Sequence, residues 1–145
     1  NFIKSNFEKY LIIRLPEVVG HTKNNNTLIN FFYNKIKNKQ TFSLWDKATR
    51  SVIDIDDVTK ILIDFLLSKK TDKTLINIAN PVKHLAIQIV NTFEQLFSTK
   101  AKYNLINKGK LDWNIDVSQI LDSIKNCEID FNNNYLKNVI KKYFI

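Results

Sequence analysis

Few side chains in this sequence have the chemistry to catalyse a reaction or to hold a metal. Asp54, Asp56 and Asp57 crowd three carboxylates together, the donor type that magnesium takes. Strand alternation sends Asp54 and Asp56 to one side, while Asp57 sits where a helix cap belongs. The structural reading of the three is preferred. Cys127 is the only cysteine, which excludes an internal disulfide and a cysteine-rich zinc site and fits a reducing, cytoplasmic compartment. A nucleophilic cysteine also needs a positioned histidine base. The chain offers only His21, read as an exposed loop residue, and His84, read as a surface residue in the first turn of a helix. Trp45 and Trp113 read as packing residues. No catalytic residue and no metal ligand is assigned.

The elements that must position these groups alternate strand and helix. Residues 10–15 are apolar on both faces until Arg14, the pattern of an interior parallel strand covered on both sides. Asn24 to Asn26 lead into a helix carrying Leu28, Ile29, Phe32 and Ile36. Phe42 and Leu44, then Val52, Ile53 and Ile55, predict two short strands flanking a turn at Asp46 to Thr49. Asp56 or Asp57 is expected to cap a helix whose buried stripe is Val58, Ile61, Leu62, Phe65 and Leu66. Thr74 to Ala79 is a further apolar strand, ended by Asn80-Pro81. A long helix follows, with Val82, Leu85, Ala86, Ile89, Val90, Phe93, Leu96 and Phe97 inward. Lys102 to Asn107 predicts a strand, turned at Gly109. Asp116 with Gln119 reads as a capping box above Val117, Ile120, Leu121 and Ile124. The last helix lies near Asn132 to Phe144, burying Leu136, Val139, Ile140 and Tyr143. The class is α/β.

Composition bounds the function. The chain has 145 residues, of which 44% are hydrophobic and 12% aromatic, enough for a folded core. No apolar run reaches membrane-spanning length, so no membrane partner is expected. Asn1 is not a natural start as written, because neither a methionine nor a signal-peptide pattern stands there. A net charge of +8 invites nucleic acid. Against that, only Arg14 and Arg50 are arginines, and base readout and phosphate clamping favour the guanidinium fork. The lysines (Lys35, Lys69, Lys70, Lys108 and Lys141 among them) are scattered rather than forming one stripe.

One physical difficulty remains. Residues 10–15 and 74–79 are the only long, wholly apolar strands, and two such strands do not make a sheet covered on both faces. The expectation is that neighbours come from elsewhere: an N-terminal half, a partner chain or a homo-oligomer.

The ordered segments Ile13-Arg14-Leu15-Pro16-Glu17-Val18-Val19-Gly20, Arg50-Ser51-Val52-Ile53-Asp54-Ile55-Asp56-Asp57-Val58 and Ile76-Asn77-Ile78-Ala79 resemble the C-terminal half of extended short-chain dehydrogenases. These are the nucleotide-sugar epimerases, dehydratases and reductases. The resemblance spans essentially the whole chain and implies that residues 1–145 form one partial domain. They would be the C-terminal strands and substrate lobe of a Rossmann-like enzyme, with the cofactor-binding half absent. It implies NAD or NADP as cofactor and a nucleotide sugar as substrate in the intact enzyme. The family grips its cofactor with a Gly-rich turn at a helix N-terminus. With only Gly20 and Gly109, this chain has no such turn. The family's catalytic Tyr-x-x-x-Lys lies one helix before the Arg14 strand. Tyr33 and Lys37 match that spacing, but on the wrong side of the strand, as chance allows in a lysine-rich chain.

The resemblance also carries residue roles. Arg50 matches the arginine that pairs with the substrate diphosphate, chemistry that suits a guanidinium; the alternative is a salt bridge to Asp54 or Asp56. Pro16 and Val18 match the loop whose backbone meets the nicotinamide carboxamide, or are a strand terminator and a core valine. Asn26 and Thr27, with Leu28, match the start of the helix lining the sugar-nucleotide pocket, or are a plain cap. Glu17 departs from the family, where many members carry asparagine. An ionised carboxylate has no donor and repels a diphosphate, so Glu17 either changes the substrate or points elsewhere. The leading expectation is a substrate-binding portion that is not catalytic by itself. The alternatives are a short binding or oligomerisation module and a basic nucleic-acid-binding domain.

Overall fold

Hydrophobic periodicity and a few polar side chains lay out the chain as follows, in a computed structural model that describes residues 2–68, 72–111 and 114–145. The expectations for Trp113, Lys69 and Lys70 lie outside the described residues. A short helix α1 (Phe2–Asn6) precedes strand β1 (Leu11–Arg14), strand β2 (Glu17–Val19) and helix α2 (Leu28–Lys37). Strand β3 (Phe42–Asp54) runs into helix α3 (Ile55–Ser68), strand β4 (Thr74–Asn77), strand β5 (Lys83–Leu85) and helix α4 (Ala86–Phe97). Strand β6 (Tyr103–Lys110), a 3-10 turn at Ser118–Ile120, helix α5 (Leu121–Asn126) and helix α6 (Tyr135–Phe144) complete the order.

Two sheets result. β1 and β4 form a parallel pair, Leu11 opposite Thr74 and Arg14 opposite Asn77. The second sheet is built on β3, which pairs in parallel with β2 and β6 and antiparallel with β5. Alternation along β3 and β2 separates two cores. Val19, Ala48 and Val52 join Ile29, Phe32 and Ile36 of α2, Phe93 of α4 and Ile140 of α6. Ile53, one residue on from Val52, joins Val58, Ile61 and Phe65 of α3, and Ile76 and Ile78. The β1 residues Leu11 to Ile13 are only half-buried, because β1 has a single neighbour among the described residues.

Several expectations change in detail. The two short strands over 42–55 are one strand. Instead of a turn, Asp46 stays in β3 opposite a bulge of β6 at Asn107 and Lys108, its Oδ1 accepting from the Lys108 amide at 3.0 Å. Gly109 follows that bulge in β6, opposite Lys47, with φ +108°, where a Cβ would lie 2.4 Å from the Lys47 carbonyl carbon. The cap of α3 is Asp54, whose Oδ1 accepts from the Asp56 amide at 2.9 Å. Leu66 and Val82 are exposed, outside their expected stripes. Asp116 does accept from the Ser118 amide at 2.9 Å, but Gln119 donates to the Leu75 carbonyl instead of closing a capping box.

His84 is the largest difference. The Asn80-Pro81 turn does not lead directly into a helix. Asn80 Nδ2 donates to the Val52 carbonyl at 3.0 Å and its Oδ1 accepts from the Val82 amide at 2.8 Å. Ser51 Oγ donates to the Asn80 carbonyl at 2.8 Å. These bonds fold the chain back onto β3 as β5 before α4 begins, so His84 is buried and not on the surface.

Candidate functional site

Arg14 ends β1, and Pro16 carries the chain into β2, whose three residues lie against Val52 to Asp54. On the far side of the β2 loop, an Asx turn forms, the Asn26 amide donating to Asn24 Oδ1 at 2.9 Å. Thr27 is the N-cap of α2, its Oγ1 accepting from the Asn30 amide at 3.4 Å. Asn30 Nδ2 donates to the Asn24 carbonyl at 2.7 Å and locks this loop to the helix. These local bonds bring the start of α2 over the end of β2 and the middle of β3. Between them lies an open cleft of about 570 Å³. Pro16, Glu17, Val18, Asn26, Thr27 and Arg50 all line it. Leu28, which the resemblance also placed at this helix start, forms its apolar wall together with Phe31, which the sequence reading missed.

Arg50 is half-buried, and its Nη1 donates to the Thr49 carbonyl at 2.7 Å. Neither carboxylate weighed as its partner is free for it. Lys142 Nζ lies 2.7 Å from both Asp54 Oδ2 and Asp56 Oδ2. The guanidinium has no carboxylate within 4.0 Å among the described residues. Leu28, Phe31 and Arg50 also line a smaller, more apolar pocket of about 200 Å³ with Leu44, Trp45 and Ala86. Trp45 is 46% exposed there, with Lys108 Nζ 5.8 Å from its ring.

The three aspartates bind protein groups. Tyr143 OH donates to Asp54 Oδ1 at 2.6 Å, and Tyr135 OH donates to Asp57 Oδ2 at 2.6 Å while accepting from the Asp54 amide at 3.0 Å. Burial alone would raise the Asp54 carboxyl, but the bonds from Lys142, Tyr143 and the Asp56 amide hold it below its ordinary value. Partial burial opposes the charge on Lys142, yet Asp54 and Asp56 outweigh it and push the ammonium well up. Burial and the bond to Asp57 push Tyr135 far up as well. The network ties the end of α6 to the start of α3. Only the aspartates themselves hinted at it in the sequence. No group of three histidine, cysteine, aspartate or glutamate side chains is placed to hold a metal among the described residues.

The remaining reactive candidates are accounted for by packing. Lys37 Nζ donates to Tyr33 OH at 2.7 Å, and the Tyr33 ring packs on Phe93, Phe97 and Phe144. Neither residue lines the Arg50 cleft. Cys127 is half-buried, and burial followed by the Asp64 carboxylate pushes its thiol up, away from a nucleophile. His21 is exposed, edge-on to Tyr143 at 5.1 Å. Burial lowers His84, and its Nε2 has no hydrogen-bond partner among the described residues.

No family model and no curated protein matches the sequence. Solved structures do match in fold. UDP-glucuronic acid 4-epimerase from Bacillus cereus, in complex with UDP-glucuronic acid and NAD, superposes with a TM-score of 0.66 at 17% identity. The match covers 91% of this chain and 45% of that one. UDP-glucose 4-epimerase from Thermus thermophilus, in complex with NAD, gives 0.69 at 11% identity, covering 95% and 46%. dTDP-glucose 4,6-dehydratase from Bacillus anthracis, also with NAD, gives 0.70 at 13%, covering 90% and 43%. The protein therefore has the α/β fold of the C-terminal part of Rossmann-like nucleotide-sugar epimerases and dehydratases. It spans less than half the length of the structures it matches.

NAD, which that fold implies, meets a poor fit in this chain. A dinucleotide turn needs glycines facing a pyrophosphate. Gly20 instead packs against Ile55, whose Cγ2 would stand 2.7 Å from a Cβ there, and Gly109 packs against the Lys47 backbone. Neither belongs to a Gly-x-Gly run that could present successive amides to a pyrophosphate.

Proposed function

We propose that this chain is the substrate-binding portion of an NAD(P)-dependent nucleotide-sugar epimerase, dehydratase or reductase, with the cofactor turn and the reacting Tyr/Lys supplied from outside it. One observation carries the reading: residues assigned to substrate and cofactor contact by resemblance, scattered from 16 to 50, converge on a single cleft. Arg50 would clamp the diphosphate, and the lack of any carboxylate within 4.0 Å of it among the described residues supports that role. Asn26 and Thr27 would meet the nucleotide sugar. Pro16 and Val18 would offer their backbone to the nicotinamide end of a cofactor held elsewhere. The lone Cys127 thiol is in keeping with a reducing, cytoplasmic setting.

Saturation-transfer NMR with uridine diphosphate tests this directly. Transfer to the nucleotide is expected with the natural chain, with competition by inorganic pyrophosphate and loss of about tenfold in affinity in Arg50→Gln. Unchanged binding in that variant, or none with the natural chain, refutes the reading.

A second reading, a binding module working as a homo-oligomer, is favoured by the single neighbour of β1 among the described residues and by exposed Phe2, Phe7 and Leu15 at that end. Light scattering separates the two, because this reading requires a dimer without any added N-terminal half.

A further inference from the structure

We propose that Glu17 makes the Arg50 cleft select a nucleotide sugar bearing a positive charge on its sugar, a protonated amino sugar. The inference deepens the function proposed above and rests on it.

Glu17 pairs with Val52 in the β2–β3 ladder, so their side chains share a face of the sheet. Arg50, two residues before Val52, projects to that same face. The buried neighbours agree: Val19 beyond Glu17, and Ala48 and Val52 around Arg50, all join the core beneath α2. Glu17 and Arg50 thus line one cleft from adjacent strands. They do not neutralise each other, since no ion pair within 4.0 Å joins them among the described residues. Glu17 is half-buried, and its carboxylate accepts no hydrogen bond among the described residues. The other lining groups are Pro16, Val18, Asn26, Thr27, Leu28 and Phe31, none of them charged.

The cleft therefore offers one cationic fork and one carboxylate, each without a protein counter-charge. A ligand that fills it removes water from both. A diphosphate satisfies Arg50 but leaves Glu17 desolvated beside further negative charge. An ammonium group on the sugar satisfies Glu17 with three donors and a matching charge. A neutral hydroxyl supplies a donor without the charge, and a sugar carboxylate supplies neither. The order of affinity follows: amino sugar, then neutral sugar, then sugar acid. This reverses what would suit a UDP-glucuronic acid enzyme such as the Bacillus cereus epimerase.

Titration of the natural chain with UDP-glucosamine, UDP-glucose, UDP-N-acetylglucosamine and UDP-glucuronic acid, in EDTA, reads this series. Affinity is expected to fall roughly tenfold per unit of sugar charge, the order Coulomb's law gives for partly solvated charges a few ångströms apart. UDP-N-acetylglucosamine, whose acetyl group removes the charge, is expected to match UDP-glucose. Glu17→Gln is expected to flatten the series and to tighten UDP-glucuronic acid, with the melting temperature unchanged. Equal affinity for all four, still lost in Arg50→Gln, overturns this inference and leaves the diphosphate reading standing. No binding of any of the four overturns both. A preference that appears only when magnesium replaces EDTA also overturns it, because the carboxylate would then hold a cation that bridges to the diphosphate.

Discussion

His84 stands directly opposite Arg50 across the β3–β5 ladder, a buried imidazole in register with the one arginine of the cleft. Because burial holds that imidazole below its ordinary value, it stays neutral and adds no charge beside the guanidinium.

The pairing predicts an acid-sensitive fold. The unfolded chain binds a proton at His84 below about pH 6.5, while the folded chain resists it, so stability is fully present above that value and falls as pH drops through it. The slope from this group is at most about 1.4 kcal/mol per pH unit. Urea unfolding at pH 7.5 and pH 5.5 checks it, and His84→Gln should lose most of the difference. A natural chain equally stable at both values contradicts the prediction.

Tyr135→Phe should destabilise by about 1 to 3 kcal/mol. The change strips the buried Asp54 amide of its acceptor and Asp57 of its donor at the junction of β3, α3 and α6. Denaturant titration with an unchanged m-value would give the number. Lys142→Met acts on the same junction but removes a partly exposed ammonium, so its cost should be smaller, about 1 kcal/mol.

Gly109→Ala should cost about 2 kcal/mol or more. The added methyl would meet the Lys47 carbonyl carbon at 2.4 Å and the Ala48 nitrogen at 2.5 Å, both backbone atoms that cannot rotate away. Thermal unfolding reads the loss, and Gly20→Ala offers a contrast. There the contact is with the Ile55 side chain, which can shift, so the penalty should be lower.

Anisotropy titration with a 20-base-pair duplex should show no salt-dependent binding despite the positive net charge. Lys60, Lys100 and Lys142 already lie on carboxylates of this chain. A steep salt slope would revive the nucleic-acid alternative.

Much of this was legible in the sequence where the signal is local. Ile29, Phe32 and Ile36 announce one face of α2, and the string from Ile13 to Gly20 announces the strand and its exit. Arg50, Asn26 and Thr27, singled out separately along the sequence, line one cleft. What stayed hidden depends on partners far along the chain. The β6 bulge is held by Asp46, Asp54 is held by Lys142, and β5 exists because Asn80 reaches back to Val52. No periodicity records which distant donor a lone asparagine or aspartate will find. For that reason His84 read as a surface residue in the first turn of a helix, although it lies in β5 and the helix begins only at Ala86.

The parallel ladders carry a kinetic consequence. Leu11 cannot meet Thr74, nor Phe42 meet Tyr103, until the long intervening segments have closed into loops. A ribosome must therefore release the chain past Asn77 before its first sheet can zip. Until then the Leu11–Ile13 segment lacks its β4 partner.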